Sequence, residues 1–410
     1  MPPGFHLLIA AQFTSALADN ALLIVAMALL DEQGLPAWWA PLLKFSFTLW
    51  YVLLAPFVGP LADAMPKARL MGWMNGVKLL GVAALFFGVH PVAAYALVGL
   101  GAAAYAPAKY GLVTELVPPG RLVAANGWIE VSVVCAVLLG TVLGGGLVSA
   151  WLREGAVAQW GLTVAQGLAL PLASSLLTSL LLLVLVYGLA ALLQFGVPDS
   201  GVRYPRCLSH PVALVRDFAQ ANRRLWADGQ GGLSLAVTTL FWGVGATLQF
   251  AVLRWAVGAL GLRLDQAAYL QAVVALGVIA GAAFAGRFVP LSMALRVLPA
   301  GVALGGLIAA VALVHALAPA LPLLALTGAV GGVLVVPMNA LLQHRGHVLL
   351  TAGRSIAVQG FNENLSVLLM LAAYAGLLAL QVPLAPLMMG FGGLISAFMV
   401  VLIWRRRRSA

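Results

Sequence analysis

Asp19 stands in the middle of an apolar run, Gln12-Phe-Thr-Ser-Ala-Leu-Ala-Asp19-Asn20-Ala-Leu-Leu. A carboxylate at bilayer depth costs about 2.5–3.5 kcal/mol on insertion scales, so it faces a wet cavity and has a partner. Two roles fit that position: meeting a cation carried by a ligand, or pinning two helices through a structural ion pair. Lys109, in Pro107-Ala-Lys-Tyr-Gly, and Lys78, in Asn75-Gly-Val-Lys-Leu-Leu, are the complementary cations. Each can bind an anion or snorkel along its own stem to the headgroup level. Asn20 and Tyr105 add polar groups beside Asp19 and Lys109.

A second set of polar residues is repeated. Gly101 to Pro107 recurs in spacing as Gly331 to Pro337. Arg121-Leu-Val-Ala124-Ala-Asn126-Gly127-Trp128-Ile-Glu130 recurs as Arg354-Ser-Ile-Ala357-Val-Gln359-Gly360-Phe361-Asn-Glu363. Such internal duplication reads as two copies of one membrane unit, with the repeated polar residues as candidates for function. Glu130 lies four residues after Asn126, and Glu363 four after Gln359, so each pair shares a helix face. Arg121, Glu130, Arg354 and Glu363 read first as braces at the helix ends, and second as direct ligands of a substrate.

No catalytic constellation accompanies these groups. The six histidines lie near run ends or in loops, and none has a carboxylate at the spacing a membrane acyltransferase needs. No glycine-rich loop ends in Lys-Ser or Lys-Thr, so no nucleotide drive is encoded. The two cysteines, Cys135 and Cys207, sit in unlike surroundings, which predicts no disulfide, no metal site and no cofactor.

The elements that must position these residues follow from composition. Of 410 residues, 63% are hydrophobic and 8% charged, against about 25% charged in soluble domains, so the solvent is lipid. The mean hydropathy is +1.03. Twelve apolar runs are long enough to span a bilayer: 5–30, 40–62, 69–89, 92–114, 122–149, 170–194, 232–256, 267–289, 295–316, 319–342, 355–379 and 384–404. The expected fold is an all-α membrane protein of two six-helix pseudo-repeats. Residues 1–198 form the first bundle, 199–230 a basic linker and 231–410 the second bundle. The net charge of +10 reads as a topology signal and as contact with membrane lipids, not with nucleic acid. Sixteen of the 22 basic residues, among them Lys67, Arg69, Arg121, Arg216, Arg354 and Arg405 to Arg408, fall on one side if both termini are cytoplasmic. The first run carries Asp19 and no basic leader, so no cleaved signal peptide is expected.

Gly59-Pro-Leu61-Ala-Asp63-Ala-Met-Pro66-Lys67-Ala-Arg69 resembles the loop signature of the major facilitator superfamily. In that family the acid and basic groups latch the cytoplasmic side, which implies gating roles for Gly59, Asp63, Lys67 and Arg69. Pro66 stands where the family has glycine. A closer resemblance, to the bacterial lysophospholipid transporter family, runs through nearly the whole chain. It rests on Gln12-Phe-x-Ser-Ala-x-x-Asp19-Asn20, Ala-Pro56-Phe-Val-Gly59, Asn75-Gly-x-Lys78, Tyr105-x-Pro107-Ala-Lys109-Tyr-Gly111, Phe241-Trp242-Gly243 and Pro337-x-Asn339-Ala-Leu-Leu-Gln343. The family pattern places charges near Gln230 and Gln249, where this chain has amides, with Arg254 as a substitute cation on another helix face.

The resemblance implies a monomeric transporter of the bacterial inner membrane. It would carry lysophosphatidylethanolamine from the outer to the inner leaflet for reacylation by a partner acyltransferase. Asp19, Asn20, Lys78, Tyr105, Lys109 and Gln249 would face the headgroup, the ammonium on Asp19 and the phosphate on Lys109 or Lys78. The rival reading is a proton-coupled drug or metabolite exporter of the same fold, with Asp19 or Glu130 carrying the proton.

Overall fold

An apolar run in lipid must satisfy every backbone N–H and C=O internally, and a helix does so. The computed structural model describes residues 3–35, 39–167, 174–202, 204, 210–262 and 264–409, and every regular element among them is helical. In chain order these are α1 (Pro3–Glu32), α2 (Trp39–Leu53), α3 (Ala55–Ala64), α4 (Lys67–Phe86), α5 (Pro91–Leu116), α6 (Leu122–Leu147), α7 (Ala150–Glu154), α8 (Ala156–Gly167), α9 (Leu177–Phe195), α10 (Pro211–Ala227), α11 (Gly229–Leu260), α12 (Leu264–Phe288), α13 (Leu298–Ala312), α14 (Leu317–Leu349), α15 (Ala352–Ala379) and α16 (Leu384–Ser409).

Among the described residues ten helices are long and apolar enough to cross a membrane. The α2–α3 pair makes an eleventh, bent by 64°. Its break lies at Leu54, beside Pro56 and Pro60, whose rings remove backbone donors. The 20-residue α4 has the length of a span but is less apolar, because it carries Lys67, Arg69, Asn75 and Lys78. Eleven spans and α4 together accommodate the twelve expected runs. Of the positions singled out in the sequence, Cys207 and the start of the 170–194 run lie outside the described residues.

Two local departures have physical causes. The segment expected as a polar linker contains α10, because Leu214, Phe218, Ala221 and Leu225 recur at helical spacing. The turn between α3 and α4 accepts Pro66 in place of glycine because it needs no positive φ. Met65 is extended at φ −140°, ψ 162°, and Pro66 sits at φ −55°.

The chain divides into two compact units. The first holds Met1–Leu116, Cys135–Ala221 and Leu350–Gly360, and the second Val117–Val134, Asn222–Leu349 and Phe361–Ala410. Each therefore takes in part of a repeated stretch from elsewhere in the chain. The first unit packs Leu22, Val25, Val82, Val98, Leu180 and Leu183 of α1, α4, α5 and α9 into one core. The second packs Val237, Val244, Leu304, Leu334, Met338, Ile395 and Met399 of α11, α13, α14 and α16. There α12 and α14 approach backbone to backbone: a Cβ on Gly277 or Gly281 would strike Ala325 or Ala329, and one on Gly328 or Gly332 would strike Val274 or Val278.

Candidate functional site

Gln12, Ser15 and Asp19 fall at i, i+3 and i+7 on α1, so they form one polar row in the first unit. Asn75 and Lys78 lie three apart on α4 and meet that row. The Lys78 ammonium donates to Asp19 Oδ2 at 2.6 Å and to Ser15 Oγ at 3.0 Å. Ser15 in turn donates to Asn75 Oδ1 at 3.0 Å. On the other side of the carboxylate, Tyr187 of α9 donates to Asp19 Oδ1 at 2.7 Å. Tyr95 of α5 donates to the Asp19 carbonyl at 3.3 Å. The Lys78 ammonium also lies 5.3 Å from the Tyr105 ring centroid, within cation–π range. Asp19 is 8% exposed and Lys78 2%, so the pair is held out of bulk solvent. Gly101 makes it possible: a Cβ there would come within 2.9 Å of Lys78 Cγ and of the Met74 carbonyl.

The other expected headgroup residues divide. Lys109 is half-buried, donates to Gln12 Oε1 at 3.3 Å and lies 4.2 Å from the Tyr110 ring centroid, so it joins the same polar row one turn away. Tyr105 donates to Gln194 Oε1 at 3.4 Å. Asn20 turns back on its own helix, donating to the Ala16 carbonyl at 2.8 Å. Gln249 belongs to α11 in the second unit, where its backbone carbonyl accepts from Gln271 Nε2 at 2.6 Å. Gln230 and Arg254, on the same helix, are exposed.

The helix-end residues form two separate arrangements. In the first unit Lys67 pairs with Glu115 at 2.7 Å and with Asp63 at 3.6 Å. Asp63 also accepts from the Gly353 N–H at 3.0 Å and from the Thr351 hydroxyl, which ties α3 to the start of α15. Gly59 permits that approach, since a Cβ there would sit 2.9 Å from Arg354 Cα and 3.1 Å from Ala357 Cβ. In the second unit Asn126 and Gln343 exchange two amide hydrogen bonds of 2.9 Å, both residues buried. Beside them Gly127 of α6 lies against α12, where a Cβ would meet the Ala282 carbonyl at 3.0 Å and Gly286 Cα at 3.1 Å. Of the repeated small and amide residues, Asn126, Gly127 and Ala357 thus lie where helices cross closely, whereas Gly360 has open space beside it. Of the repeated charges, Glu130 is buried, Arg354 and Glu363 are half-buried, and Arg121 is exposed, as is Arg69. No group of three or more His, Cys, Asp or Glu among the described residues is placed to hold a metal.

The sequence profile of the Major Facilitator Superfamily matches residues 8–369. The chain belongs to that superfamily. Within it, the chain is 42% identical over 407 residues to the lysophospholipid transporter LplT of Escherichia coli O1:K1, covering 98% of this chain and 96% of that one. The same values hold for LplT of Escherichia coli strain SE11. It is therefore a member of the lysophospholipid transporter family and a transporter rather than an enzyme. Solved structures share the fold at low identity. They include the human organic anion transporter MFSD10 (TM-score 0.74, 15% identical, 98% of this chain and all of that one). A bacterial homologue of the iron transporter ferroportin, in an outward-facing state, follows at TM-score 0.71 and 14% identity, over 98% of this chain and 99% of that one.

The superfamily loop signature gives no sign of Glu115, whose side chain is buried and holds Lys67. Nor does it point to Tyr187, whose hydroxyl occupies one oxygen of Asp19. Tyr187 carries no local signal, since it sits alone in the Leu-rich run of α9. Glu115 carries one: an acid four residues past Gly111 at the end of a span. Lys44 of α2 was also passed over. It is exposed and stands 5.6 Å from the Phe47 ring centroid.

Proposed function

We propose that the chain transports lysophospholipids, chiefly lysophosphatidylethanolamine, from the outer to the inner leaflet of a bacterial inner membrane. The observation that carries this reading is the buried Asp19–Lys78 pair in its shell of Ser15, Asn75, Tyr105 and Tyr187. The headgroup is itself an ammonium joined to a phosphate. Its ammonium can replace that of Lys78 on Asp19, and the released Lys78 can take the phosphate. No charge is left unpaired in low dielectric during the exchange, which avoids the cost of several kcal/mol per bare ion. Asn75 Nδ2 is buried with no hydrogen-bond partner and supplies a spare donor for a headgroup oxygen. Lys109, one turn along the row, offers a second site for the phosphate as the headgroup moves.

The halves 1–198 and 231–410 act as two bundles in alternating access, with both termini cytoplasmic. The Asp63 and Asn126–Gln343 contacts serve as the latches that must open. The tail stays among apolar helix faces or in lipid. The chain works as a monomer, and an acyltransferase in the receiving leaflet consumes the product.

The test is uptake of labelled lysophosphatidylethanolamine into cells carrying the protein, with and without an uncoupler. Uptake that survives uncoupling and falls at least tenfold in Asp19→Asn and in Lys78→Met at matched expression is expected. Absence of uptake by the native protein overturns the reading. Uptake abolished by the uncoupler alone keeps the substrate and transfers the mechanism to proton coupling.

A further inference from the structure

The helix α10 presents three different faces. Leu214, Ala221 and Leu225 are buried, and Phe218 packs with Val58, Ala104 and Ala357 of the first unit. Val212, Val215, Ala219 and Trp226 are exposed and recur at intervals of three, four and seven, so they make one apolar stripe. Arg216 and Arg223 are exposed along the stripe's edge, and Gln220 and Arg224 are exposed further round the helix. Val212 is 64% exposed, Val215 48% and Trp226 41%.

An exposed apolar stripe bordered by arginines is the pattern of a helix lying in the plane of a bilayer surface. The tether sets the depth. Only Asp228 separates the end of α10 at Ala227 from the first residue of the spanning helix α11 at Gly229. That junction is fixed: Trp226 Nε1 donates to Asn362 Oδ1 at 3.1 Å, and Asn362 Nδ2 donates to Asn222 Oδ1 at 2.9 Å. Trp226 therefore sits where membrane proteins place their interfacial aromatics.

We propose that α10 is an interfacial helix that binds anionic phospholipid headgroups of the leaflet it borders, with Val212, Val215, Ala219 and Trp226 entering the acyl boundary and Arg216 and Arg223 holding the phosphates. An acidic protein would satisfy the arginines but would leave the apolar stripe beside them, and the stripe adjoins a span. The bilayer matches both.

The full-length protein is tested in two measurements. In a background of Cys135→Ser and Cys207→Ser, a spin label is placed on Ala219→Cys or on Gln220→Cys, and the protein is reconstituted into vesicles. One set is phosphatidylcholine alone, and the other is equal parts phosphatidylcholine and phosphatidylglycerol. The Ala219 label is expected to be accessible to oxygen and shielded from a water-soluble nickel chelate, more so with phosphatidylglycerol, and the Gln220 label the reverse. Binding of phosphatidylglycerol to detergent-solubilised protein is then titrated by native mass spectrometry. It is expected to weaken about fivefold for Arg216→Gln and for Arg223→Gln, and less for Arg224→Gln, which lies further round the helix. Labels equally open to the chelate in both vesicles overturn the proposal and leave the face to an acidic protein. Shielding that ignores phosphatidylglycerol, with unchanged binding in the arginine variants, overturns the anionic part.

Discussion

Lys78 and Asp19 close a 2.6 Å ion pair between α4 and α1, and the carboxylate's other oxygen accepts the Tyr187 hydroxyl at 2.7 Å. Both oxygens of Asp19 are thus occupied before any substrate arrives. In the proposed transport cycle a ligand cation takes the place of Lys78 on this carboxylate. Of the two roles open to Asp19 in the sequence, the structure holds the structural pin, and on the proposed cycle substrate contact is a second state of the same group.

Removing either partner leaves a charge in low dielectric. Asp19→Asn and Lys78→Met should each destabilise the protein by about 3–5 kcal/mol. The double variant should lose less than the sum of the two, because no bare charge remains. Thermal unfolding in detergent across the four proteins checks this. Additive losses would show that the pair is not coupled. Transport should fail in all three variants, so the double variant separates folding from function.

Tyr187→Phe removes one donor to Asp19 and nothing else from the shell. A hydrogen bond to a charged group contributes about 1.5–3 kcal/mol, so a comparable loss of stability is expected. Lysolipid uptake should continue with a changed KM, because Lys78 still orients the carboxylate. A kcat loss as large as that of Asp19→Asn would instead make Tyr187 a direct participant.

The spans, the repeat and the polar residues of α1 and α4 were legible because lipid imposes simple rules: long apolar runs are helices, and polar groups within them are exceptional. Asp19 and Lys78 stood out for that reason. Their pairing did not, because it joins residues 59 positions apart through helix packing that no local pattern encodes. The amphipathic period of α10 was present in Leu214, Phe218, Ala221 and Leu225 but was masked by five arginines in the same segment. The repeat of Arg121–Glu130 in Arg354–Glu363 drew attention to its charges. Within the repeat, the structure places close helix crossings at small members instead, Gly127 against Gly286 and Ala357 against Gly59.

Asn126 and Gln343 give a second cycle. Asn126→Leu or Gln343→Leu alone leaves a buried amide without its partner, which costs about 1–3 kcal/mol. The double leucine variant should recover most of that loss. If these amides also latch the helix ends, the double variant should alter transport rate while leaving the unfolding temperature near the native value. A double variant as unstable as either single one would rule out a mutual pair.

Asp228 provides a pH test outside the spans. Its carboxylate accepts from Arg345 Nη2 at 2.5 Å and Nε at 3.1 Å, and caps α11 by accepting from the Gly231 N–H at 2.7 Å. The Arg345 hydrogen bonds, foremost, hold its carboxyl below the ordinary carboxylate range, against a smaller opposing effect of burial. A depressed carboxylate contributes stability that is complete above its unfolded value, near 4 (about 3.9 for aspartate). That contribution is lost as pH falls through the lower folded value. Asp228→Asn keeps an N-cap acceptor but not the charge, whereas Asp228→Ala removes both, at a further cost of about 1 kcal/mol. Native protein should therefore be more stable than Asp228→Asn by a constant amount from pH 8 to pH 6, and the difference should vanish on acidification below the carboxylate range (about 3–4 for a free side chain). The gap between the Asn and Ala variants should not change with pH. Unfolding midpoints of the three proteins across that range decide it, and a native advantage that grew on acidification would contradict the assignment of Arg345 as the partner.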